Sequence, residues 1–269
     1  MIDVPQFDAK LKVLAVIPAR YESTRFPGKP LVMLGGKPLI QWVWDGVRSM
    51  PGLDDVVVAT DDERIATAVR GFGGRAMMTG SNHRSGTDRC CEVVSTLKAQ
   101  GQEYDVVLNV QGDEPFVNQV QLYKLINCFV QKSVQIATLK TRIRSTEELF
   151  SPDNVKVVCN SRCEAVYFSR QPIPYMRGVE QSQWLERHQY YKHVGIYAFR
   201  AGIMDRLKVL PPSPLEKCES LEQLRWIEQG YTLRVVETEE ANIGIDRPED
   251  LAQAELRLKD IEKQKRNNP

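Results

Sequence analysis

The chain has 269 residues, of which 42% are hydrophobic and 26% charged, so it is long enough to enclose a sizeable core within one main domain. Its 36 Lys and Arg residues against 35 Asp and Glu residues leave a formal net charge of +1, which provides no overall attraction toward nucleic acid or an anionic membrane. No uncharged apolar run reaches the roughly 18 residues that a membrane span requires.

The N-terminal residues and the cysteines indicate the cellular compartment in which the protein is expected. Residues 1–10 contain no apolar stretch, so we expect an N-terminal extension and no signal peptide. The six cysteines include no CxxC pair and the three histidines no HExxH motif, which argues against a zinc site. Unpaired cysteines of this kind are typical of reduced proteins, so we expect a cytoplasmic location.

Strands and helices alternate over the first 130 residues with short connections between them. This alternation predicts an α/β fold whose parallel strands are joined by right-handed crossovers. The strands are predicted at 11–17, 55–60, 75–79 and 105–110, and the helices at 38–50, after 61–63, at 87–100 and near 119–131.

The second half of the chain has a different pattern, with strands separated by short turns. For the strands at 135–143, 155–160 and 165–169 such spacing predicts antiparallel additions, and the Pro-, Gly- and aromatic-rich residues 170–190 are predicted to form a long loop or arm. The strands are predicted at 135–143, 155–160, 165–169, 192–199 and 231–237, and the helices at 215–229 and 247–263.

Three polar, glycine-containing loops at 18–30, 80–86 and 111–116 each follow a predicted strand. Because ligands bind at the carboxyl ends of parallel strands, these loops are expected to meet at one rim. The first loop carries three cations, two hydroxyls and a glycine, which suits a phosphate cradle, although a plain solvated loop is the alternative. It is not a Walker A motif, because Lys29 is followed by Pro30.

Two aspartates stand where a metal ion could be held. Asp113 follows the fourth strand beside Gly112, and Asp246 precedes the last helix. Magnesium is usually bound by one or two carboxylates together with substrate phosphates, so two such carboxylates at one rim would form a metal-assisted phosphoryl-transfer site. The alternatives are a simple turn at Asp113 and a helix N-cap at Asp246.

The motifs VIPARYESTRFPGKPL, GSNHRSGTDR, LNVQGDEPF and GIDRPEDL occur in this order. Together they resemble the 3-deoxy-manno-octulosonate (Kdo) cytidylyltransferase family between about Val13 and Leu251. The resemblance implies a three-layer, Rossmann-like fold of the nucleotide-diphospho-sugar transferases with a mostly parallel sheet. It also implies one nucleotidyltransferase domain over residues 11–269, an antiparallel dimerisation arm near 135–200, and a homodimer.

The same resemblance implies that the chain couples CTP and Kdo to CMP-Kdo and pyrophosphate with Mg²⁺, in lipopolysaccharide precursor synthesis. It assigns the triphosphate to Arg20 and Lys29 and the metal to Asp113 and Asp246, and these four residues are the expected catalytic set. It assigns the nucleotide also to Ala19, Arg84, Ser85, Gly86 and Arg170, although the family often has Gln in place of Arg84. It assigns the sugar acid to Gln111, His193, Tyr197, Glu222 and Gln223.

Several of these side chains also allow a structural interpretation. His193 lies in an apolar strand, where a hydrogen-bonded structural histidine is equally plausible, and one of Glu222 and Gln223 could face solvent. Glu216 is predicted to complete a helix capping box. The aromatic residues Trp184, Tyr190 and Tyr191 are predicted to pack within the arm or a dimer contact and not to stack on sugar.

Three other functions remain open at this stage. A related sugar acid, such as 8-amino-Kdo or a neuraminate-type acid, would need only a few altered contacts. A metal-dependent glycosyltransferase would be expected to show a DxD motif, where this chain has Gly112-Asp113-Glu114. A non-catalytic nucleotide sensor would not need the cations and carboxylates that the loops retain. No general base is evident in the sequence.

Overall fold

The computed structural model describes residues 11–22, 26–239, 244–245 and 247–267. The chain forms two compact units. The first takes its described residues from Lys12–Glu103, Asn109–Gln119 and Asn242–Pro269, and the second from Met1–Leu11, Tyr104–Leu108 and Val120–Ala241. The single domain expected over residues 11–269 stays a prediction, and the expected extension at 1–10 lies outside the described residues.

The first unit is built on three adjacent parallel strands. The strand at 13–19 pairs through Leu14–Ala19 with the strand at 55–60, which pairs through Val57–Thr60 with the strand at 75–78. The first two are buried apolar runs, as interior strands are, whereas the third is only partly buried. The elements are β1 (Val13–Ala19), β2 (Met33–Leu34), β3 (Lys37–Pro38), α1 (Leu39–Arg48), β4 (Asp55–Thr60), α2 (Glu63–Gly71), β5 (Arg75–Met78) and α3 (Gly86–Ala99).

The second unit contains a mixed set of strands. One strand, at 136–142, lies between an antiparallel and a parallel neighbour. The short strand at 156–159 pairs antiparallel with the longest strand, at 191–200, and the short strand at 165–169 pairs antiparallel with the strand at 156–159. The elements are β6 (Val106–Asn109), α4 (Gln119–Asn127), β7 (Ile136–Arg142), α5 (Thr146–Phe150), β8 (Lys156–Cys159), β9 (Ala165–Ser169), α6 (Trp184–Arg187), β10 (Tyr191–Arg200), α7 (Met204–Lys208), α8 (Pro214–Glu219), α9 (Glu222–Glu228) and β11 (Leu233–Thr238).

The C-terminal helix α10 (Asp250–Asn267) packs within the first unit. Its Ala254 and Leu258 are buried in a cluster with Leu34, Leu39 and Ile245. The parallel pairs β1–β4, β4–β5 and β7–β11, contacted by helices such as α1, α2 and α3, confirm the predicted α/β class with its mostly parallel sheet. No helix in the described part of the chain is both long and apolar enough to cross a membrane.

Residues 170–190 form the expected long loop, with only short helical turns in it. Trp184 and Tyr190 are almost fully buried and stack on each other with ring centroids 6.0 Å apart. They form a small core of their own with Ile143 and Leu149. The packing role predicted for Trp184 and Tyr190 is therefore confirmed.

The helix predicted over 215–229 is in fact two helices, α8 and α9. The break falls at Ser220, whose backbone is left-handed with φ 53°. The side chain of Arg170 donates to the carbonyl oxygens of Glu219 at 2.8 Å and of Ser220 at 3.5 Å, so the end of α8 receives partners from outside the helix. The uninterrupted apolar spacing gave no sign of this tertiary contact.

Candidate active site

One cleft of about 200 Å³ lies in the first unit, at the loops that follow β1, β5 and β6. The prediction that these three loops meet at one rim is confirmed. Eight residues singled out from the sequence line this cleft: Ala19, Arg20, Lys29, Arg84, Ser85, Gly86, Gln111 and Asp113.

Two glycines allow the loops to close on Pro18. A Cβ atom on Gly112 would lie 2.8 Å from the carbonyl oxygen of Pro18, a distance that real Cβ atoms do not tolerate against backbone. A Cβ atom on Gly86 would lie 3.0 Å from Cγ of the same proline. The cleft therefore depends on residues without side chains at the points of closest approach.

Lys29 and Asp113, which both line the cleft, form an ion pair. The Nζ atom of Lys29 donates to Oδ2 of Asp113 at 2.7 Å, and the two side chains are 12% and 31% exposed. Lys29 begins a 3₁₀ turn (Lys29–Leu31) directly after Gly28, whose φ of 70° sets the direction of the loop. The pair brings a cation and a carboxylate from distant parts of the sequence into one charged site.

The N-terminus of α3 also borders the cleft. Ser85 caps this helix by accepting a hydrogen bond from the backbone N–H of Asp88 at 3.1 Å, and Gly86 is its first residue. A helix N-terminus presents backbone N–H groups and partial positive charge. Together with the exposed side chains of Arg20 and Arg84, it makes this rim suited to a polyanion.

The sequence interpretation missed two residues that line the cleft, Arg89 and His83. Arg89 is only 4% exposed; its guanidinium donates to Oγ1 of Thr79 at 2.5 Å and lies 3.2 Å from Oδ2 of Asp61. His83 hydrogen-bonds through Nε2 to the carboxylate of Glu92. The sequence offered one sign of a special role for Arg89. It falls in the first turn of α3, where a cation is unfavourable because of the helix dipole, so a partner or a ligand elsewhere has to stabilise it.

Asp113 is the described carboxylate of the predicted metal pair. Among the residues that the structure describes, no group of three or more His, Cys, Asp and Glu side chains could hold a metal ion. Asp246 lies outside the described residues. The carboxylate of Asp113 already pairs with a cation, the Lys29 ammonium, and a hard oxygen donor beside a cleft suited to a polyanion fits Mg²⁺, whose remaining ligands are often phosphate oxygens.

The second unit brings together His193, Tyr197 and Glu222, which the family resemblance assigned to the sugar acid. The rings of His193 and Tyr197 lie 5.3 Å apart on β10. Burial lowers the pKa of His193 to about 3, so its imidazole is neutral at physiological pH. Burial and the nearby charge of Glu222 raise the pKa of Tyr197 well above its usual value, so its hydroxyl stays protonated.

Glu222 and Gln223 begin α9 in the same unit. Gln223 is 4% exposed, and the Glu222 side chain, 21% exposed, lies 3.8 Å from Arg225. Neither side chain is therefore fully solvent-facing, which was one of the alternatives. Both stay predicted sugar-acid residues.

Glu216 has a structural role, as predicted. It completes a capping box with Ser213 at the start of α8. Its carboxylate also accepts two hydrogen bonds, at 2.6 and 2.8 Å, from the guanidinium of Arg225, a residue that is 4% exposed. This pair joins α8 to α9.

Arg170 lies in the second unit, at the end of β9. Its guanidinium donates to three backbone carbonyl oxygens, those of Pro152, Glu219 and Ser220. Its own backbone N–H donates to the carboxylate of Glu219 at 2.9 Å. These bonds tie the residue to α8, and its nucleotide contact stays a prediction.

Comparison with known proteins gives the family. A family described as "Cytidylyltransferase" matches residues 14–240. The chain is 50% identical over 248 residues to a 3-deoxy-manno-octulosonate cytidylyltransferase of Parabacteroides distasonis, covering 91% of this chain and 97% of that one. It is 51% identical over 255 residues to the enzyme of the same name in Phocaeicola vulgatus, covering 94% and 99%.

The fold of the chain is also similar to that of solved structures of cytidylyl-transferring enzymes. CMP:2-keto-3-deoxy-manno-octonic acid synthetase complexed with CTP superposes with a TM-score of 0.85 at 42% identity, covering 93% of this chain and 99% of that one. A 4-diphosphocytidyl-2C-methyl-D-erythritol synthase from Anaerococcus prevotii has a TM-score of 0.56 at 17% identity, covering 93% and 97%. At that identity the second likeness extends to the fold alone.

Proposed function

The chain belongs to the cytidylyltransferase family, and on this basis we propose that it joins CTP to Kdo, giving CMP-Kdo and pyrophosphate. The observation that carries the proposal is the cleft of the first unit, in which the Lys29–Asp113 pair, Arg20, Arg84 and the N-terminus of α3 are gathered. Relatives named for this reaction match at about half of all positions over nearly the whole chain.

The reaction has to bring like charges together. CTP carries about four negative charges, and Kdo bears a carboxylate in addition to the hydroxyl that attacks the α-phosphate. A cleft rich in cations and backbone N–H groups offsets this repulsion. We assign Arg20 and Lys29 to the triphosphate, where their fixed positive charges stabilise the charge that grows on the leaving pyrophosphate.

Mg²⁺ is part of this proposal, with Asp113 and Asp246 as the residues that would hold it. When bound beside the phosphates, such an ion supplies positive charge and polarises phosphate oxygens. The chain's own residues then perform positioning and electrostatic stabilisation, which contribute most of the rate in phosphoryl-type transfers. Ser85 and Gly86 hold the N-terminus of α3 at the cleft, where its backbone N–H groups can bind phosphate oxygens.

On the sugar side we assign Gln111, His193, Tyr197, Glu222 and Gln223. The neutral imidazole of His193 and the protonated hydroxyl of Tyr197 suit the hydroxyl groups of a sugar. The protonated Tyr197 hydroxyl adds no negative charge beside the carboxylate of the sugar acid.

We also propose a cytoplasmic homodimer that serves lipopolysaccharide precursor synthesis. All six cysteines are free, which suits a reducing compartment. Within the segment assigned to dimerisation, Val166 and Tyr175 are 55% and 73% exposed, and a partner subunit could cover such apolar groups. Light scattering should give twice the mass of 30.7 kDa.

The test of the proposed function is CTP-dependent pyrophosphate release with a panel of sugar acids. We expect turnover with Kdo and at least tenfold lower kcat/KM with 8-amino-Kdo and N-acetylneuraminate. Preference for either of the latter would replace Kdo by that acid and leave the chemistry intact. If none of the sugar acids in the panel supports pyrophosphate release, the proposed function is contradicted.

A further inference from the structure

The pairing of β7 with β10 is interrupted beside Thr138. Thr138 stands opposite Tyr197 and Leu139 opposite Val194, so Gly195 and Ile196 are extra residues on β10. Such a bulge leaves backbone carbonyl groups without their ladder partners. The fully buried Thr138 side chain occupies this place.

The hydroxyl of Thr138 has three polar neighbours. Its Oγ1 lies 2.9 Å from the carbonyl oxygen of Ile196, 3.3 Å from that of Val194 and 2.8 Å from Nε2 of His193. A hydroxyl has one hydrogen to donate, and carbonyl oxygens can only accept. The hydrogen must therefore point to the carbonyl oxygens, and the third contact has to be donated by His193.

The opposite assignment is unfavourable. If the Thr138 hydroxyl donated to His193, its oxygen would face two buried carbonyl oxygens with no hydrogen between them, and burial of unpaired acceptors is costly. The imidazole therefore carries its hydrogen on Nε2, and Nδ1 keeps a lone pair. In the described part of the chain, the bond to Thr138 is the hydrogen bond that the ring makes, and the residue retains partial exposure.

We propose that Thr138 is a positioning residue that fixes the Nε2–H tautomer of His193, so that Nδ1 accepts a hydrogen bond from a hydroxyl group of the sugar acid. The identity of the donor rests on the proposed function, whereas the tautomer follows from the geometry alone. The low pKa of His193 agrees with a neutral ring. In this arrangement the histidine selects a hydroxyl donor and does not pair with the carboxylate of the substrate.

The tautomer can be determined directly by long-range ¹H–¹⁵N NMR of the imidazole nitrogens in the 269-residue chain, which has three histidines. Comparison with His193→Gln assigns the His193 signals. We expect a protonated Nε2 and an unprotonated Nδ1 in the unaltered protein and in Thr138→Ser, which keeps the hydroxyl. Thr138→Val has nearly the same shape but no acceptor, so we expect its His193 signals to shift toward the other tautomer.

Kinetics test the consequence for the substrate. Loss of one well-placed hydrogen bond should raise the KM for Kdo about 3- to 10-fold in Thr138→Val, with the KM for CTP and kcat little changed. Thr138→Ser should restore the KM for Kdo. His193→Gln can still donate to Thr138, but its acceptor, the amide oxygen, lies one bond further from Cβ than Nδ1 does, so we expect the same increase with the fold retained.

The outcomes separate this inference from the proposed function. An Nδ1–H tautomer in the unaltered protein, or identical His193 signals in Thr138→Val, would overturn the role of Thr138. A changed tautomer with an unchanged KM for Kdo would overturn the assignment of Nδ1 to the substrate. Absence of turnover by the unaltered protein would instead contradict the proposed function, and the NMR signals would still decide the tautomer.

Discussion

The backbone N–H of Ile245 donates a hydrogen bond to the carbonyl oxygen of Asp113 at 3.0 Å. Ile245 is also fully buried, in a cluster with Leu34 and Leu39. The segment that directly precedes Asp246 in sequence is thus fixed to the loop that carries the other predicted metal carboxylate. This bond is the strongest structural support for treating the two aspartates as one site.

From this relationship we predict that Asp113→Asn and Asp246→Asn each lower kcat by at least about 10²-fold, because each removes a carboxylate from the proposed magnesium site. The measurement is CTP-dependent pyrophosphate release at saturating Mg²⁺, with thermal unfolding to verify the fold. Asp45→Asn is a matched control, since Asp45 pairs with Lys37 and does not line the cleft. Unchanged turnover in a folded Asp246→Asn would contradict its metal role.

Gly112→Ala should disturb the cleft through the backbone. The new Cβ would lie 2.8 Å from the Pro18 carbonyl oxygen, so the loop must shift, and shifts near 1 Å can cost up to about 10²-fold in turnover. We expect kcat to fall about 10- to 100-fold, as measured in the same assay. In Gly71→Ala the added Cβ meets no atom within 4 Å, so this variant should keep full activity. Equal behaviour of the two variants would refute the steric argument.

Glu216→Ala should destabilise the fold. It leaves the buried guanidinium of Arg225 without its main partner and removes a capping box, and breaking such a pair costs about 3–5 kcal/mol. Urea unfolding measures the change. The control is Glu63→Ala, whose ion pair with Arg70 is largely exposed and should contribute little. A Glu216→Ala variant as stable as this control would show that the α8–α9 pair is dispensable.

His193 makes stability depend on pH. Its pKa falls from 6.5 to about 3 on folding because of burial. Above pH 6.5 the His193 imidazole is neutral in both the folded and the unfolded state, so it does not affect the free energy of unfolding. Below pH 6.5 the imidazole becomes protonated in the unfolded chain but stays neutral in the folded protein. Stability should therefore decrease with falling pH, by about 1.4 kcal/mol per pH unit down to about pH 3.

The measurement is urea unfolding at pH 7, 6 and 5 for the unaltered protein and His193→Gln. The neighbouring Tyr197 stays neutral throughout, because its pKa is raised. Between pH 7 and 5 the unaltered protein should lose about 2 kcal/mol more than the variant, which cannot titrate at this position. Parallel pH profiles would show that His193 is not kept neutral by the fold.

Much of the fold of the first unit could be predicted, because the apolar runs and polar loops in its sequence match the buried strands and the cleft of the folded structure. The apolar runs that became β1 and β4 are buried on both faces, and the loops that follow β1, β5 and β6 carry the polar residues of the cleft. Resemblance to a known family added roles for individual residues such as Lys29 and Asp113. Their convergence could be expected because parallel strands place their carboxyl ends at one edge.

The features that could not be predicted depend on distant contacts. The break between α8 and α9 is accompanied by bonds from Arg170, some fifty residues earlier in the chain. The buried position of Arg89 depends on Asp61 and Thr79 in other loops. The role of Thr138 depends on a bulge in β10, which no local periodicity indicates.

The most direct test of the account is product identification by ³¹P NMR after incubation of the purified protein with Kdo, Mg²⁺ and one of CTP, UTP, ATP or GTP. We expect that, of the four nucleotides, only CTP yields the phosphodiester signal of the sugar nucleotide, CMP-Kdo, together with an equal amount of pyrophosphate. Formation of that product with another nucleotide in preference to CTP, or pyrophosphate release without the phosphodiester, would contradict it.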